Sequence, residues 1–226
     1  MRPHQLRDDQ WDLIKDILPG RAGSVGVTAA DNRRFVDAVI HRYRTGIPWR
    51  DLPESFGDRC GQRICDDRQH DRAGPPTQRR CKKKAGEDQA IGKSKGGLST
   101  KIHVLVDALG HPLKIVLTKG QAHDLHGADA LLPGMAARML LADKAYDVDK
   151  RVIEPLNVAG KIAVIPPKSN RKTRRSYNEP LYEARHLVEN FFCWAKQFRA
   201  IATRYDKTAR NFLAAVHMVG ALSWLN

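Results

Sequence analysis

Between residues 58 and 95 apolar side chains almost vanish, and Arg, Asp, Gln, Gly and Pro take their place. A segment of that composition cannot bury enough apolar surface to offset the entropy of ordering it. It therefore divides the chain into two parts that must each build a core. It also carries a basic cluster, Arg79, Arg80, Lys82, Lys83 and Lys84. Composition alone reads residues 58–95 as a disordered linker or a basic tail that contacts nucleic acid. With 226 residues, 42% of them hydrophobic, there is enough chain for one larger domain and a small accessory one. No apolar run approaches the roughly 18 residues a membrane helix needs, and the N-terminus has no apolar leader. The expectation is a cytoplasmic protein with no membrane partner. The net charge of +14 favours a polyanionic partner, nucleic acid being the usual one. A generically basic surface is the plain alternative. Cys60, Cys65, Cys81 and Cys193 fit zinc-site spacings poorly, so free thiols are expected.

Residues 1–57 read as a small helical domain. Trp11, Ile14, Ile17 and Leu18 recur at helical spacing within residues 4–18, and Pro19-Gly20 stops the run. Asp31 is placed to cap a second helix whose buried stripe is Phe35, Val36, Val39, Ile40 and Tyr43, ending at Gly46. Arg33, Arg34, Arg42, Arg44 and Arg50 make one side basic. A helix-turn-helix reader of DNA and a plain packing module both fit this pattern.

Residues 96–226 read as a mixed α/β domain. Thr100–Val106 and Leu113–Leu117 flank a glycine turn and predict a hairpin. Met139–Ala142 predicts a short buried strand ending at Asp143, and Lys161–Ile165 another, closed by Pro166-Pro167. A basic loop with Lys168, Arg171, Lys172, Arg174 and Arg175 follows. Helices are expected near 179–199 and 208–225. Drawn at about 100° per residue, Tyr182, Arg185, Glu189 and Lys196 fall within about 60° of one another, with Leu187, Val188, Phe191, Phe192, Trp194 and Phe198 assigned to the other side. One face would enter the core and the other would present a phenol, a guanidinium, a carboxylate and an ammonium together. A solvated polar face with an ion pair is the commoner fate of such residues. Asp143, at a strand end, reads either as a metal ligand or as a turn-initiating aspartate.

The run Tyr-x2-Arg-x3-Glu-x6-Lys, met here at Tyr182, Arg185, Glu189 and Lys196, resembles the signature of insertion-sequence DDE transposases of the four/five superfamily. The surrounding ARHLVENFF and KQFRAIATRYDK, the upstream LADKAYD, and the leading LRDDQWDLIKDILPG and FVDAVIHRYRTGIPWRDLP are similar to the family numbered five. The resemblance covers roughly residues 4–57 and 85–226, with its blocks in the right order. It implies a ribonuclease-H-like catalytic domain in which Asp143 is the second catalytic aspartate and Glu189 the glutamate. Both would be ligands of Mg²⁺ or Mn²⁺, and Tyr182, Arg185 and Lys196 would contact DNA. The implied activity is cleavage and strand transfer at element ends. Its partners would be double-stranded DNA, as terminal inverted repeats and target, and a second copy pairing two ends as a homodimer.

The first aspartate of that family, expected in a block like MIDSTIVRAHQHSAGAK, is missing. Residues 60–82 read CGQRICDDRQHDRAGPPTQRRCK. One permitted back-translation, moved by a single base, reads ADNEYAMIDSTIVRAHQHSAGA. The aspartate codon would span those of Arg68 and Gln69, and the A-rich codons of Lys82–Lys84 are where the frame returns. By resemblance, some tens of residues ahead of the block are also deleted. Asp66 and Asp67 are then neighbours by accident. The fold expected is therefore α/β, an incomplete ribonuclease-H-like domain with its first strand lost and an unpaired edge left behind, preceded by the helical domain. Transposition by this chain is expected to be impaired. The alternative is a non-catalytic DNA-binding remnant that occupies element ends.

Overall fold

A computed structural model describes residues 5–56 except 22, 24 and 27, together with 88–171 and 175–225. The linker segment 57–87, with Cys60, Cys65, Asp66, Asp67 and Cys81, lies outside the described residues, as do Lys172 and Arg174. The chain divides into two compact units, one of residues 1–82, 194–207 and 214–226, the other of residues 83–193 and 208–213.

In the first unit, helix α1 is Asp8–Ile14 and helix α2 is Asn32–Thr45. Helix α1 is shorter than the periodicity over 4–18 predicts. Ile17 is 78% exposed, so the stripe gains nothing by continuing into the turns before Pro19. Helix α2 follows expectation at both ends. The Asp31 side chain accepts the Arg34 amide at 2.9 Å, satisfying one of the amides a helix start leaves open. Gly46 closes the helix in the left-handed conformation at φ 73°, and a Cβ there would come 2.5 Å from the Tyr205 ring. Ala38 and Ile40 are buried on α2. The buried Asp37 carboxylate accepts the Leu6 amide at 2.9 Å, tying the chain ahead of α1 to α2. Phe198, fully buried, carries the Arg44 guanidinium over its ring at 4.6 Å.

The second unit begins with strands β1 (Gly92–Ser94), β2 (Gly97–Val106) and β3 (Pro112–Lys119) in one antiparallel sheet. The β2–β3 hairpin matches the sequence expectation, with His103 opposite Val116 and a register shift at Leu105/Val106. Residues 92–95, which composition assigns to the linker, belong instead to ordered structure. Strand β1 pairs with β2 through backbone groups and needs no apolar side chain to do so. A Cβ at Gly92 would displace the end of the exposed Gln121 side chain.

Helix α3 (Leu125–Leu131) leads to β4 (Met139–Leu141). After a 3-10 turn at Lys144–Tyr146 and a π turn at Asp149–Ile153, helix α4 (Glu154–Val158) runs to β5 (Ile162–Val164). Strands β4 and β5 pair in parallel, Leu140 opposite Ala163, as a crossover connection through α4 allows. The core of this unit is Leu125, Ala128, Met135, Leu140, Val152, Ile153, Leu156 and Ile165. Among the described residues the strands form two separate sheets, of three and two strands, instead of one continuous sheet.

The single helix expected near 179–199 is broken. Helix α5 (Glu179–Tyr182) is capped by Asn178, and a 3-10 turn covers Glu183–Arg185. Helix α6 (His186–Ala195) then ends at a turn, and α7 (Arg199–Ala202) follows. Phe198, in extended conformation, separates the last two. The final helix, α8 (Ala209–Ser223), forms where the sequence places it.

Candidate active site

Asp143 leaves β4 in an extended conformation and begins the following 3-10 turn. Its Oδ1 accepts the Lys144 amide at 2.6 Å, and its carbonyl accepts the Tyr146 amide at 2.9 Å. The turn-initiating role is thus filled, while the residue stays exposed. Buried Leu140 anchors the strand just before it.

Glu189 lies in the first turn of α6, where a negative charge suits the positive end of the helix. Its Oε1 accepts from Arg185 Nη2 at 2.6 Å. The Arg185 guanidinium also lies 5.7 Å from the centre of the Tyr182 ring, and Tyr177 meets Tyr182 edge-on at 5.6 Å. Burial works against the Arg185 charge, but Glu189, Tyr182 and Asp143 outweigh it and hold the guanidinium above its ordinary pKa. Burial also pushes the Tyr182 phenol up; Arg185 opposes this and Asp143 adds to it. The charge of Asp143 is therefore felt at both Arg185 and Tyr182.

The fourth residue of the predicted stripe behaves differently. Lys196 lies in the turn after α6, exposed, and belongs to the other compact unit. The wheel drawn at 100° per residue fails for two reasons. A 3-10 turn advances about 120° per residue, so Tyr182 loses phase with α6. The helix also stops at Ala195, before Lys196 is reached. Tyr182, Arg185 and Glu189 still meet, because the three-residue step from Tyr182 to Arg185 is kept on a 3-10 turn and the four-residue step from Arg185 to Glu189 runs through α6.

The sequence reading missed Asp147. Its side chain is 1% exposed and accepts the Lys168 amide at 2.9 Å, Arg171 Nη1 at 2.5 Å and Arg175 Nη2 at 3.0 Å. Burial alone would raise this carboxyl; the amide and the two guanidiniums outweigh it and hold it below the usual carboxylate range. The basic loop after β5 is thereby tied four residues from Asp143. No local pattern signals this, since the donors lie 21, 24 and 28 residues away.

Among the described residues no group of three His, Cys, Asp or Glu side chains could hold a metal ion. A carboxylate such as that of Asp143 or Glu189 is by its chemistry a donor for a hard divalent cation. Two carboxylates do not make a ligand set for a pair of cations.

Residues 58–224 match the family model described as "Transposase DDE domain". The chain belongs to the DDE transposases of the insertion-sequence 4/5 family. Residues 6–70 match a second model, described as "Putative transposase of IS4/5 family". The transposase is 37% identical over 132 residues to the "Putative transposase for insertion sequence element IS6501" of Brucella ovis, a match covering 57% of this chain and 99% of that one. It is 45% identical over 53 residues to the "Uncharacterized protein y4sN" of Sinorhizobium fredii, covering 24% of this chain and 42% of that one. No solved structure matches it. Membership of this family implies DNA as substrate. Among the described residues no helix of the transposase is long and apolar enough to cross a membrane.

Proposed function

We propose that this transposase acts on the ends of an insertion sequence through a ribonuclease-H-like domain in which Asp143 and Glu189 are the remaining catalytic carboxylates. The observation that supports the reading is the Tyr182–Arg185–Glu189 cluster: Glu189 accepts from Arg185 Nη2 at 2.6 Å, and the Arg185 guanidinium lies 5.7 Å from the centre of the Tyr182 ring. Both carboxylates would hold Mg²⁺ or Mn²⁺, which when bound neutralises charge on phosphate oxygens and makes water a stronger nucleophile. Arg185 has the planar donor set that suits a phosphate, and it holds Glu189 in place until DNA arrives. Tyr182 offers a ring face beside it, and Lys196 a point charge for the backbone of the duplex. The helical residues 1–57 would read the inverted repeat, and a dimer would pair two ends in the cytoplasm, on the nucleoid.

The same reading includes a defect. The first aspartate lies in the shifted frame of residues 60–82, and the described residues offer no third carboxylate beside the pair. The chain is then a transposase impaired in cleavage and strand transfer. A second reading, a DNA-binding remnant that occupies element ends without cutting them, draws on that observation and on the net charge of +14. The test incubates the purified chain and its Glu189→Gln variant with an inverted-repeat duplex in Mg²⁺ or Mn²⁺. Salt-sensitive binding by both, with no nicking by either, is expected. Nicking at the repeat end that disappears in Glu189→Gln overturns the defect. Absence of duplex binding overturns the transposase reading of this chain.

A further inference from the structure

The cations of the first unit differ from one side to the other. Where α1 meets the start of α2 they are paired: Arg7 with Asp9 at 3.0 Å, Lys15 with Asp12 at 2.8 Å and Arg33 with Asp8 at 2.6 Å. Around α7 the situation is reversed. Lys196, Arg199 and Lys207 are exposed, and among the described residues their side chains make no ion pair and no hydrogen bond. The acids nearest in sequence to these cations and to the end of α2 are Asp206, half buried, and Asp51, which faces Arg50 at 3.7 Å.

The packing of α7 on α2 explains where these cations stand. A Cβ at Gly46, where α2 ends, would lie 3.2 Å from Cγ of Arg199, so the stem of that side chain crosses the turn. Arg44 lays its guanidinium over Phe198, the residue just before Arg199. Arg42 lies between the Tyr43 and Trp49 rings, at 4.7 and 5.0 Å. The far end of α7 turns through Arg204 at φ 49°. The Arg204 amide donates to the Ile201 carbonyl and the Tyr205 amide to that of Ala200, both at 3.2 Å, a closure that glycine usually makes. A helix C-terminus attracts cations, which accounts for Arg42 and Arg44 at the end of α2. It does not account for three more exposed cations without a counter-charge.

We propose that α7 and its flanking turns, set against the end of α2, form a binding surface for the phosphate backbone of duplex DNA, with Arg199 and Lys207 as contacts. The inference rests on the reading above that this transposase binds DNA. It places part of the first unit's duplex contact outside residues 1–57, in the segment that follows α6. The occupant is argued from charge. Cations compensated on one side and uncompensated on the other give the unit a field that favours a polyanion at α7. Such cations release condensed counterions when they neutralise phosphates, and contacts of this kind do not read base sequence. The stem of Arg199 already rests on the Gly46 turn, so less side-chain freedom is lost when its guanidinium meets a phosphate.

The test measures duplex binding by fluorescence anisotropy across a salt series in EDTA, so that cleavage plays no part. The double variant Arg199→Ala/Lys207→Ala should lessen the slope of log K against log salt by about 1.8, with an unchanged melting temperature. Arg199→Lys should keep the slope of the wild type. Arg7→Ala/Lys15→Ala, which removes two cations from the paired side, should leave the slope as it is. The change should be equal on an inverted-repeat duplex and on a scrambled one. An unchanged slope in Arg199→Ala/Lys207→Ala, an equal loss in Arg7→Ala/Lys15→Ala, or a loss confined to the repeat sequence would each overturn the surface. Failure of the wild-type chain to bind either duplex would remove the transposase reading and the surface with it. Binding by the wild type with an unaltered slope in Arg199→Ala/Lys207→Ala would remove the surface alone.

Discussion

Replacing Asp147 by alanine should destabilise the second unit by about 3 kcal/mol. The carboxylate is almost wholly buried and takes three hydrogen bonds, two of them from guanidiniums. Alanine leaves Arg175 without its anion and the Lys168 amide without its acceptor, while Arg171 keeps its pair with the half-exposed Asp149. Losing one member of a buried ion pair costs about 3–5 kcal/mol, and the lower end applies here. The Arg171 and Arg175 side chains keep 20% and 27% of their surface, so water relieves part of the loss. With a urea slope of about 2 kcal/mol per molar, the unfolding midpoint should fall by about 1.5 M near neutral pH. Asp147→Asn, which keeps the shape and one acceptor, should cost about half as much. The pH dependence has a fixed sign. The folded pKa of Asp147 is lowered, so its contribution is complete above the unfolded value of about 3.9 and is lost as pH falls through the folded value. Wild type and Asp147→Ala should therefore converge below about pH 4. A stability within about 0.5 kcal/mol of wild type at neutral pH, or a gap that widens in acid, would refute the argument.

Gly127→Ala should cost about 1–3 kcal/mol, seen as a lower melting temperature, because the new Cβ would lie 2.4 Å from Cγ of the buried His103 ring, which cannot step aside without losing Thr118 at 2.8 Å. Burial lowers the His103 pKa, so the unfolded chain takes up a proton that the folded one refuses; urea midpoints should decline as pH drops below about 6.5, and His103→Asn should flatten that slope. Asp31→Ala should remove the cap of α2 at about 1 kcal/mol, measured by circular dichroism in urea. Arg185→Ala and Lys196→Ala should each lessen the slope of log K against log salt for duplex binding by about 0.9, and an unchanged slope would remove that residue from the DNA contacts.

Much of the candidate site was legible because it rests on short-range rules. The spacings of Tyr182, Arg185 and Glu189 bring their side chains together on almost any tight right-handed turn, so the cluster survives the break at Glu183–Arg185 that the sequence did not announce. Lys196 was illegible for the same reason reversed: its placement depended on an unbroken helix, and the helix ends one residue short. The cap at Asp31 and the stop at Gly46 were readable because each acts on its own neighbours.

By itself the sequence determined the local elements: the hairpin of β2 and β3, the short strand ahead of Asp143, the capped α2, and the family to which the chain belongs. Backbone propensity and periodicity act over a few residues, and a motif is a statement about residue types at fixed spacing. Only the tertiary structure buried Asp147 beneath a loop that begins some twenty residues further on, and divided the strands into two sheets. Those outcomes depend on which distant groups must share a buried volume, and a buried carboxylate or an open strand edge is defined by neighbours that no local pattern names.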